Sequence, residues 1–157
     1  MEGGSFAWIN DKTAAIGIGV RVNREGAEQV GEVLKRRGVE LLIIPLTGYD
    51  IHIDCAFLMI DKDLALVNPF GLPYSFMEDL KSRGVRLIEI SPEDDSWINN
   101  SLAIAPGKLL MPGGASNRTL DNLAKHNVSW VTVPFAAMHK NGGGIHCSTT
   151  PLRRDSV

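Results

Sequence analysis

Side chains able to perform chemistry recur at nearly regular intervals along the chain. A carboxylate stands at Glu2, an imidazole and a carboxylate at His52 and Asp54, and a thiol at Cys147. A further polar segment begins at Asn99, between His52 and Cys147. The successive separations are 50 residues from Glu2 to His52, 47 from His52 to Asn99, and 48 from Asn99 to Cys147. Regular spacing of this kind predicts that the groups come from equivalent places in a repeat and meet at one centre.

The chemistry of such a centre follows from the residue types. A thiol attacks as its thiolate, which a nearby imidazolium or a cationic substrate favours. Two carboxylates can bind a planar guanidinium through its forked N–H donors. A histidine can protonate a departing amine and then take a proton from water. Together, Glu2, His52, Asp54 and Cys147 predict attack of the cysteine on a guanidinium carbon, followed by hydrolysis.

The elements that must position these residues form an internal repeat. Segments 34–46, 80–90 and 123–133 each end an amphipathic helix, turn at one residue and enter a β-rich run. The turn residues tolerate the left-handed conformation that closes a helix, and they lie 46 and 43 residues apart. They are Gly38, Gly84 and Asn127.

Between these helix–strand segments, polar turns flanked by apolar runs predict β-hairpins. The hairpins span 6–19, 55–68 and 101–112. The repeating unit is therefore strand, strand, helix, strand, present three times with the start of a fourth after Pro134.

The predicted helices have recognisable starts and apolar faces. The first carries a buried face, the second a capping box and a buried stripe, and the third a polar start and a buried stripe. In the first helix, the face consists of Ala27, Val30, Val33 and Leu34. In the second, Ser75 and Glu78 form the capping box, and Phe76, Met77 and Leu80 form the stripe. In the third, the start is Ser116 or Asn117, and the stripe consists of Leu120, Leu123 and Ala124.

Stacked repeats of this kind form a ring or a row around a shared axis. We therefore predict an α/β fold, a partial propeller of about three ββαβ units, as one domain over residues 1–157. A three-unit arc leaves open edges and an uncovered flank, which invite pairing with another chain. A homodimer, or a partner chain that supplies further units, is the expected assembly.

Composition excludes several classes of protein. The 157 residues are 44% hydrophobic and 22% charged, as in a globular domain, and no apolar run approaches the roughly 18 residues of a membrane span. With 16 basic and 18 acidic residues there is no electrostatic footprint for nucleic acid. Two cysteines cannot form a disulfide framework, and the N-terminus lacks the features of a signal peptide, so a cytoplasmic location is expected.

Some candidates have a plainer interpretation. Cys55 starts an apolar strand and is predicted to pack in the core. His139 and His146 are interpreted as loop residues, and Asn99, Asn100 and Asn117 as turn or cap residues. A zinc site from His52, Asp54, His146 and Cys147 is the chemical rival, although no pair has the close spacing typical of such sites.

The motifs also resemble those of a known family. The resemblance rests on EGGS (2–5), HIDCAFLMIDKDLALVNP (52–69), the Asn-Arg pair at 117–118 and GGGIHCSTTPLRRD (142–155). These segments are similar to those of the guanidine-modifying enzymes: arginine deiminase, agmatine deiminase, dimethylarginine dimethylaminohydrolase and the amidinotransferases. That family has a five-bladed pseudosymmetric α/β propeller (the pentein fold) built from ββαβ units around a central site.

The resemblance implies a role for each matching residue. Cys147 would be the nucleophile that forms an amidino-cysteine intermediate, and His52 the general acid and base. Glu2 would orient His52 and touch the substrate, and Asp54 would bind the guanidinium. Gly143 and Gly144 would let the backbone approach the substrate closely.

The implied reaction is hydrolysis of a small guanidine such as arginine to a ureido product, with no cofactor and no metal. Two alternatives stay open: an amidinotransferase with an amine acceptor, and a non-catalytic binding module like the ribosome-binding anti-association factor of this fold.

The chain departs from the family pattern in three places. Ser5 replaces the usual acidic residue after Glu-Gly-Gly, and Ala136-Ala137 replaces a Ser-Glu pair common in arginine deiminases. In the family, two further units normally precede Glu-Gly-Gly and contribute another aspartate, whereas here Met1 directly precedes Glu2. The chain therefore resembles the C-terminal three-fifths of the fold.

Overall fold

The computed structural model of the chain describes residues 1–48 and 50–151, so the end of the 142–155 motif lies outside the described residues. Three consecutive segments each fold as strand, strand, helix, strand. The first unit comprises β1 (Phe6–Asn10), β2 (Thr13–Ile18), α1 (Arg24–Lys35) and β3 (Glu40–Pro45). The second comprises β4 (Phe57–Asp61), β5 (Leu64–Val67), α2 (Tyr74–Ser82) and β6 (Arg86–Glu89). The third comprises β7 (Leu102–Ala105), β8 (Lys108–Pro112), α3 (Asn117–Lys125) and β9 (Ser129–Val133). A short helix, α4 (Ala136–His139), follows. The predicted ββαβ repeat is confirmed.

Each unit forms its own three-stranded sheet. The first two strands are antiparallel, and the third runs parallel to the second after the helical crossover. Equivalent pairs in the three hairpins are Trp8–Ala14, Met59–Ala65 and Ala103–Leu109. Because the hairpins share one register, the segments that enter β1, β4 and β7 occupy equivalent places.

The turns after the three helices have the predicted backbone conformation. Gly38, Gly84 and Asn127 have φ of 73°, 84° and 58°. This left-handed conformation lets the chain leave the helix and join the parallel strand. The same turn chemistry therefore closes the helix of every unit.

The helix starts agree with the sequence prediction in one case and differ in another. Ser116 caps α3 by accepting a hydrogen bond from the Thr119 backbone N–H. The capping box predicted at Ser75 and Glu78 is wrong, because α2 begins at Tyr74 after Pro73. The fixed φ of proline prepares that start without a side-chain acceptor.

The core lies between successive units. Helix α2 packs between the first and second sheets, where it buries Phe76, Met77 and Leu80 as predicted. Helix α3 packs between the second and third sheets through Leu123, and α1 covers the outer face of the first sheet through Ala27. This layering fixes the angle between neighbouring sheets and therefore aims their leading segments at one region.

Two residues predicted to lie on buried helix faces are exposed. Val33 is 47% exposed because, at 100° per residue, it lies about 120° around α1 from the buried Ala27. Ala124 is exposed because it follows the buried Leu123 by one position, on a different face of α3.

The two ends of the arc keep apolar side chains at the surface. On the outer face of the third sheet, Leu110 pairs with Leu102 and Val131, and Val131 is 47% exposed. At the other end, Val33 projects from α1. The uncovered flank predicted for a partial ring is therefore present. Over the part of the chain described, no helix combines the length and apolarity needed to cross a bilayer.

Candidate active site

The site lies where the leading segments of the three units and the turn His146–Ser148 meet. Donor atoms of His52, Asp54 and Cys147 lie within 4.8 Å of one another. The cysteine is more than ninety residues from the other two in sequence, so this proximity is a product of the fold. The structure thus brings together the imidazole, the carboxylate and the thiol that the repeat predicted to meet.

Glu2 and His52 form the exposed side of the site. Glu2 Oε2 lies 2.6 Å from His52 Nε2, and its other oxygen lies 3.5 Å from Arg21. The hydrogen bond with His52, assisted by Arg21, holds the pKa of Glu2 below its usual range. The imidazole is 17% exposed, so it reaches solvent while the carboxylate fixes its orientation.

Asp54 is the buried centre of the site, with a side chain only 3% exposed. Its Oδ2 lies 3.0 Å from His146 Nδ1 and 3.5 Å from the sulfur of Cys147. A buried carboxylate is costly without such partners. The interpretation of His146 as a loop residue outside the site is therefore wrong, because its ring and the neighbouring thiol both face Asp54.

Asn100 holds the cysteine from the opposite side. Its amide nitrogen donates to Cys147 Sγ at 3.2 Å, and its amide oxygen accepts from the Cys147 backbone N–H at 3.2 Å. Its backbone carbonyl also accepts from the His146 N–H. Asn100 is fully buried. Asn100 does lie in a bend of the chain, as the turn interpretation expected, but its side chain also holds Cys147, which that interpretation left out.

The two thiols of the chain are inequivalent. A hydrogen bond from Cys55, with further ones from the Gly144 backbone and the Asn100 amide, outweighs partial burial and the charge of Asp54 and lowers the pKa of Cys147 to about 6. The same contact with Cys147, together with burial, raises the pKa of Cys55. Cys147 is therefore the thiol that ionises near neutral pH.

Cys55 was expected in the core and is instead half-buried at the site. Its sulfur lies 3.7 Å from Asp54 Oδ1 and 3.6 Å from the Asn100 amide nitrogen. It ends the short 3-10 turn Ile53–Cys55, which comes before β4 rather than inside it. That turn directs the thiol toward the site.

Glycines leave the space in which these side chains pack. A Cβ on Gly4 would lie 2.8 Å from His52 Nδ1 and 3.0 Å from Asp54 Oδ2. A Cβ on Gly144 would overlap the side-chain oxygen of Asn100, whereas one on Gly143 would meet open space. Gly144 is therefore needed for the packing of Asn100, and Gly143 borders open space.

The same groups could also serve as metal ligands. His52, Asp54 and Cys147 each offer one donor atom, with separations up to 4.8 Å. Ligands around a tetrahedral zinc ion lie about 3.5 Å apart, so metal binding would require these side chains to draw together.

Local signals existed for the residues that sequence reasoning set aside. Asn100 belongs to the segment at the same phase of the repeat as His52, and His146 precedes Cys147. Cys55 follows Asp54. In each case the sequence showed that the residue lies near a catalytic candidate along the chain, but it did not show which way the side chain points.

The Cys, His and carboxylate groups lie at the hub, the region where the leading segments of the ββαβ units meet. This arrangement defines the class of fold: the chain forms part of a propeller of the pentein type, the fold of the guanidine-modifying enzymes. Residues 1–72 match the arginine deiminase family model. An arginine deiminase of Latilactobacillus sakei is 25% identical over 197 aligned positions, which cover 100% of this chain and 48% of the relative. The chain is thus similar to arginine deiminases over its whole length.

Solved structures show the same fold. An amidinotransferase from Microseira wollei superposes with a TM-score of 0.82 at 16% identity, over 98% of this chain and 48% of that one. DDAH from Pseudomonas aeruginosa superposes with a TM-score of 0.73 at 21% identity, over 90% of this chain and 52% of that one. The chain spans about half the length of the curated arginine deiminases that it matches.

Proposed function

We propose that the chain carries the nucleophile of an arginine deiminase-like hydrolase, which converts arginine or a related guanidine to a ureido product and ammonia or an amine. The proposal is carried by one observation: a thiol of lowered pKa lies within 4.8 Å of both an imidazole and a buried carboxylate. Similarity to arginine deiminases over the whole chain supports the choice of substrate.

Substrate binding would use the carboxylates. Asp54 is buried and has hydrogen-bonding capacity beside Cys147, and Glu2 is 47% exposed beside His52. A guanidinium that donates to both would present its central carbon to the sulfur. The open space next to Gly143 would admit the planar group.

In the first half of the reaction, the Cys147 thiolate attacks the guanidinium carbon and forms a C–S bond. As the tetrahedral adduct collapses, one C–N bond breaks, and protonated His52 gives its proton to the departing nitrogen. Ammonia or an amine leaves, and the amidino group stays on the sulfur. Glu2 acts in this step by holding the imidazole in place, 2.6 Å away.

In the second half, neutral His52 takes a proton from water, and the resulting hydroxide attacks the amidino carbon. The C–S bond breaks, the added oxygen gives up its proton to solvent as the carbonyl forms, the ureido product leaves, and Cys147 returns as the thiolate. The Asn100 amide, 3.2 Å from the sulfur, stabilises the negative charge that reappears there.

An amidinotransferase would share the first half and use an amine in place of water in the second. Assay of arginine turnover with and without a candidate acceptor amine separates the two. Ureido product without acceptor supports hydrolysis, whereas a guanidinylated amine that forms only with acceptor supports transfer. No turnover by the wild type, together with no difference from Cys147→Ser, would favour the binding module and overturn the proposal.

We further propose that the exposed flanks of the arc are covered by a second copy of this chain or by a partner that supplies the remaining units. The apolar surface at Val131 at one end and Val33 at the other supports this assembly. The reaction would serve arginine metabolism in the cytoplasm, where two unpaired thiols remain reduced.

A further inference from the structure

The hub contains a second thiol that the proposed reaction does not use. The amide nitrogen of Asn100 donates to both sulfurs, at 3.6 Å to Cys55 and 3.2 Å to Cys147. Both sulfurs also face the Asp54 carboxylate, at 3.7 and 3.5 Å. The two thiols therefore share one donor, the Asn100 amide, and one acceptor, the Asp54 carboxylate.

Their surroundings give the two sulfurs different access and reactivity. Cys147 is exposed, so a small oxidant can reach it, and its lowered pKa supplies the reactive thiolate. Cys55 is half-buried behind it and keeps its proton. The sequence contains only these two cysteines, so Cys55 is the single thiol within the chain that can react with an oxidised Cys147.

We propose that Cys55 and Cys147 form a reversible intramolecular disulfide when the protein meets a hydroperoxide, with Cys147 as the peroxide-reactive residue and Cys55 as the resolving residue. In a reactive cysteine that is poised beside a resolving one, oxidation stops at the disulfide instead of proceeding to the sulfinic acid.

The steps balance with the hydroperoxide as the only added reactant. The Cys147 thiolate attacks one peroxide oxygen; an S–O bond forms, the O–O bond breaks, and the second oxygen leaves as water or an alcohol after taking a proton. The Cys55 sulfur then attacks the sulfenic sulfur; an S–S bond forms, the S–O bond breaks, and hydroxide leaves with the Cys55 proton as water. The two thiols lose two electrons and the peroxide gains them.

The disulfide would occupy the sulfur that attacks the guanidinium carbon. Loss of turnover on oxidation, with recovery on reduction, rests on the proposed function. Formation of the bond itself does not, because it can be read from the mass of the protein. Failure of the disulfide and failure of the enzymatic proposal are therefore distinguishable.

The test treats the wild-type chain with hydrogen peroxide near equimolar amounts and measures intact mass and non-reduced peptides. We expect a loss of two hydrogen atoms, one peptide pair that joins Cys55 to Cys147, and full reversal with dithiothreitol. In Cys55→Ser, the same treatment should leave a sulfenic acid on Cys147 that dimedone traps, and more peroxide should convert it to the sulfinic acid.

Two results would overturn the proposal. One is oxidation of wild-type Cys147 to the sulfinic acid as readily as in Cys55→Ser, with no linked peptide. The other is a disulfide that joins two chains, seen as a dimer on a non-reducing gel. Arginine turnover, measured before and after oxidation on the same samples, gives the separate reading for the proposed activity.

Discussion

Asn100 and Cys147 hold each other through two hydrogen bonds of opposite direction. The asparagine amide nitrogen donates to the sulfur at 3.2 Å, and its oxygen accepts from the cysteine backbone N–H at 3.2 Å. One bond stabilises charge on the sulfur, and the other fixes the loop that carries it. The side chain that tunes the thiol is thus also the one that positions it.

Replacing Asn100 with Asp should make Cys147 less acidic. The change removes an N–H donor and adds a negative charge, and both disfavour the thiolate, so the pKa of Cys147 should rise from about 6 toward the ordinary value of 9.0. The measurement is the rate of iodoacetamide alkylation of Cys147 against pH. The midpoint should move to higher pH, and the rate at pH 7 should fall.

Asn117→Asp is the matched control, since Asn117 is exposed at the start of α3. Its alkylation profile should match that of the wild type. An unchanged midpoint in folded Asn100→Asp would show that Asn100 does not stabilise the thiolate.

An amidine-bearing electrophile should test whether the site recognises a guanidinium-like group. A haloacetamidine should label Cys147 faster than a neutral haloacetamide does, because the carboxylates of Asp54 and Glu2 attract its charge. His52→Ala should slow the labelling about tenfold, because Glu2 then loses the partner that fixes it 2.6 Å away and attracts the amidine less well. Mass spectrometry of the labelled peptide gives the rates.

His126→Ala provides the comparison for His52→Ala, because among the described residues the His126 ring hydrogen-bonds the Asn122 carbonyl near the end of α3, away from the site. It should label at the wild-type rate. If the wild-type protein is labelled no faster than a free thiol in solution, the hub does not contain an organised site.

Gly144→Ala should disrupt the contact that positions the cysteine. The new methyl group would overlap the Asn100 side chain, and forced overpacking of this kind costs about 1–3 kcal/mol. Thermal unfolding should show a lower midpoint, and the midpoint of Cys147 alkylation against pH should move to higher pH. Gly143→Ala should leave both unchanged, because a Cβ there meets open space. Equal effects of the two changes would contradict the packing argument.

Gly4→Ala should affect reactivity more than stability. Its Cβ would press on His52 and Asp54, whereas a Cβ on Gly3 would meet nothing within 4 Å. We expect haloacetamidine labelling to fall about tenfold or more in Gly4→Ala, since displacement of catalytic groups by about 1 Å can cost a hundredfold. Gly3→Ala should behave like the wild type, and a normal labelling rate in Gly4→Ala would show that His52 tolerates the shift.

Association should depend on the outer face of the third sheet. Val131 is 47% exposed beside Leu110, and a charge there would oppose burial against a partner. Light scattering at micromolar concentration should show wild-type oligomers and a monomeric Val131→Asp. Val20→Asp, at an exposed position outside that sheet, is the control. A monodisperse wild-type monomer would count against self-association.

The fold was largely predictable because its signals are local. Helix-closing residues such as Gly38, hairpin turns and apolar stripes such as that around Leu80 depend on neighbours within a few positions, and the structure has all of them. Errors arose where a local pattern had two solutions. Pro73 started α2 in place of the capping box at Ser75, and rotation around α1 left Val33 outside the core.

By itself, the sequence determined the repeat, the order of the elements and the set of residues able to meet at the hub, since periodicity and residue chemistry are written along the chain. Only the tertiary structure decided that Asn100 contacts the Cys147 sulfur and that His146 and Cys55 contact the Asp54 carboxylate. The reason is physical: a side chain's direction depends on how units distant in sequence pack together, and one turn of a 3-10 helix redirects a thiol from the core to the site.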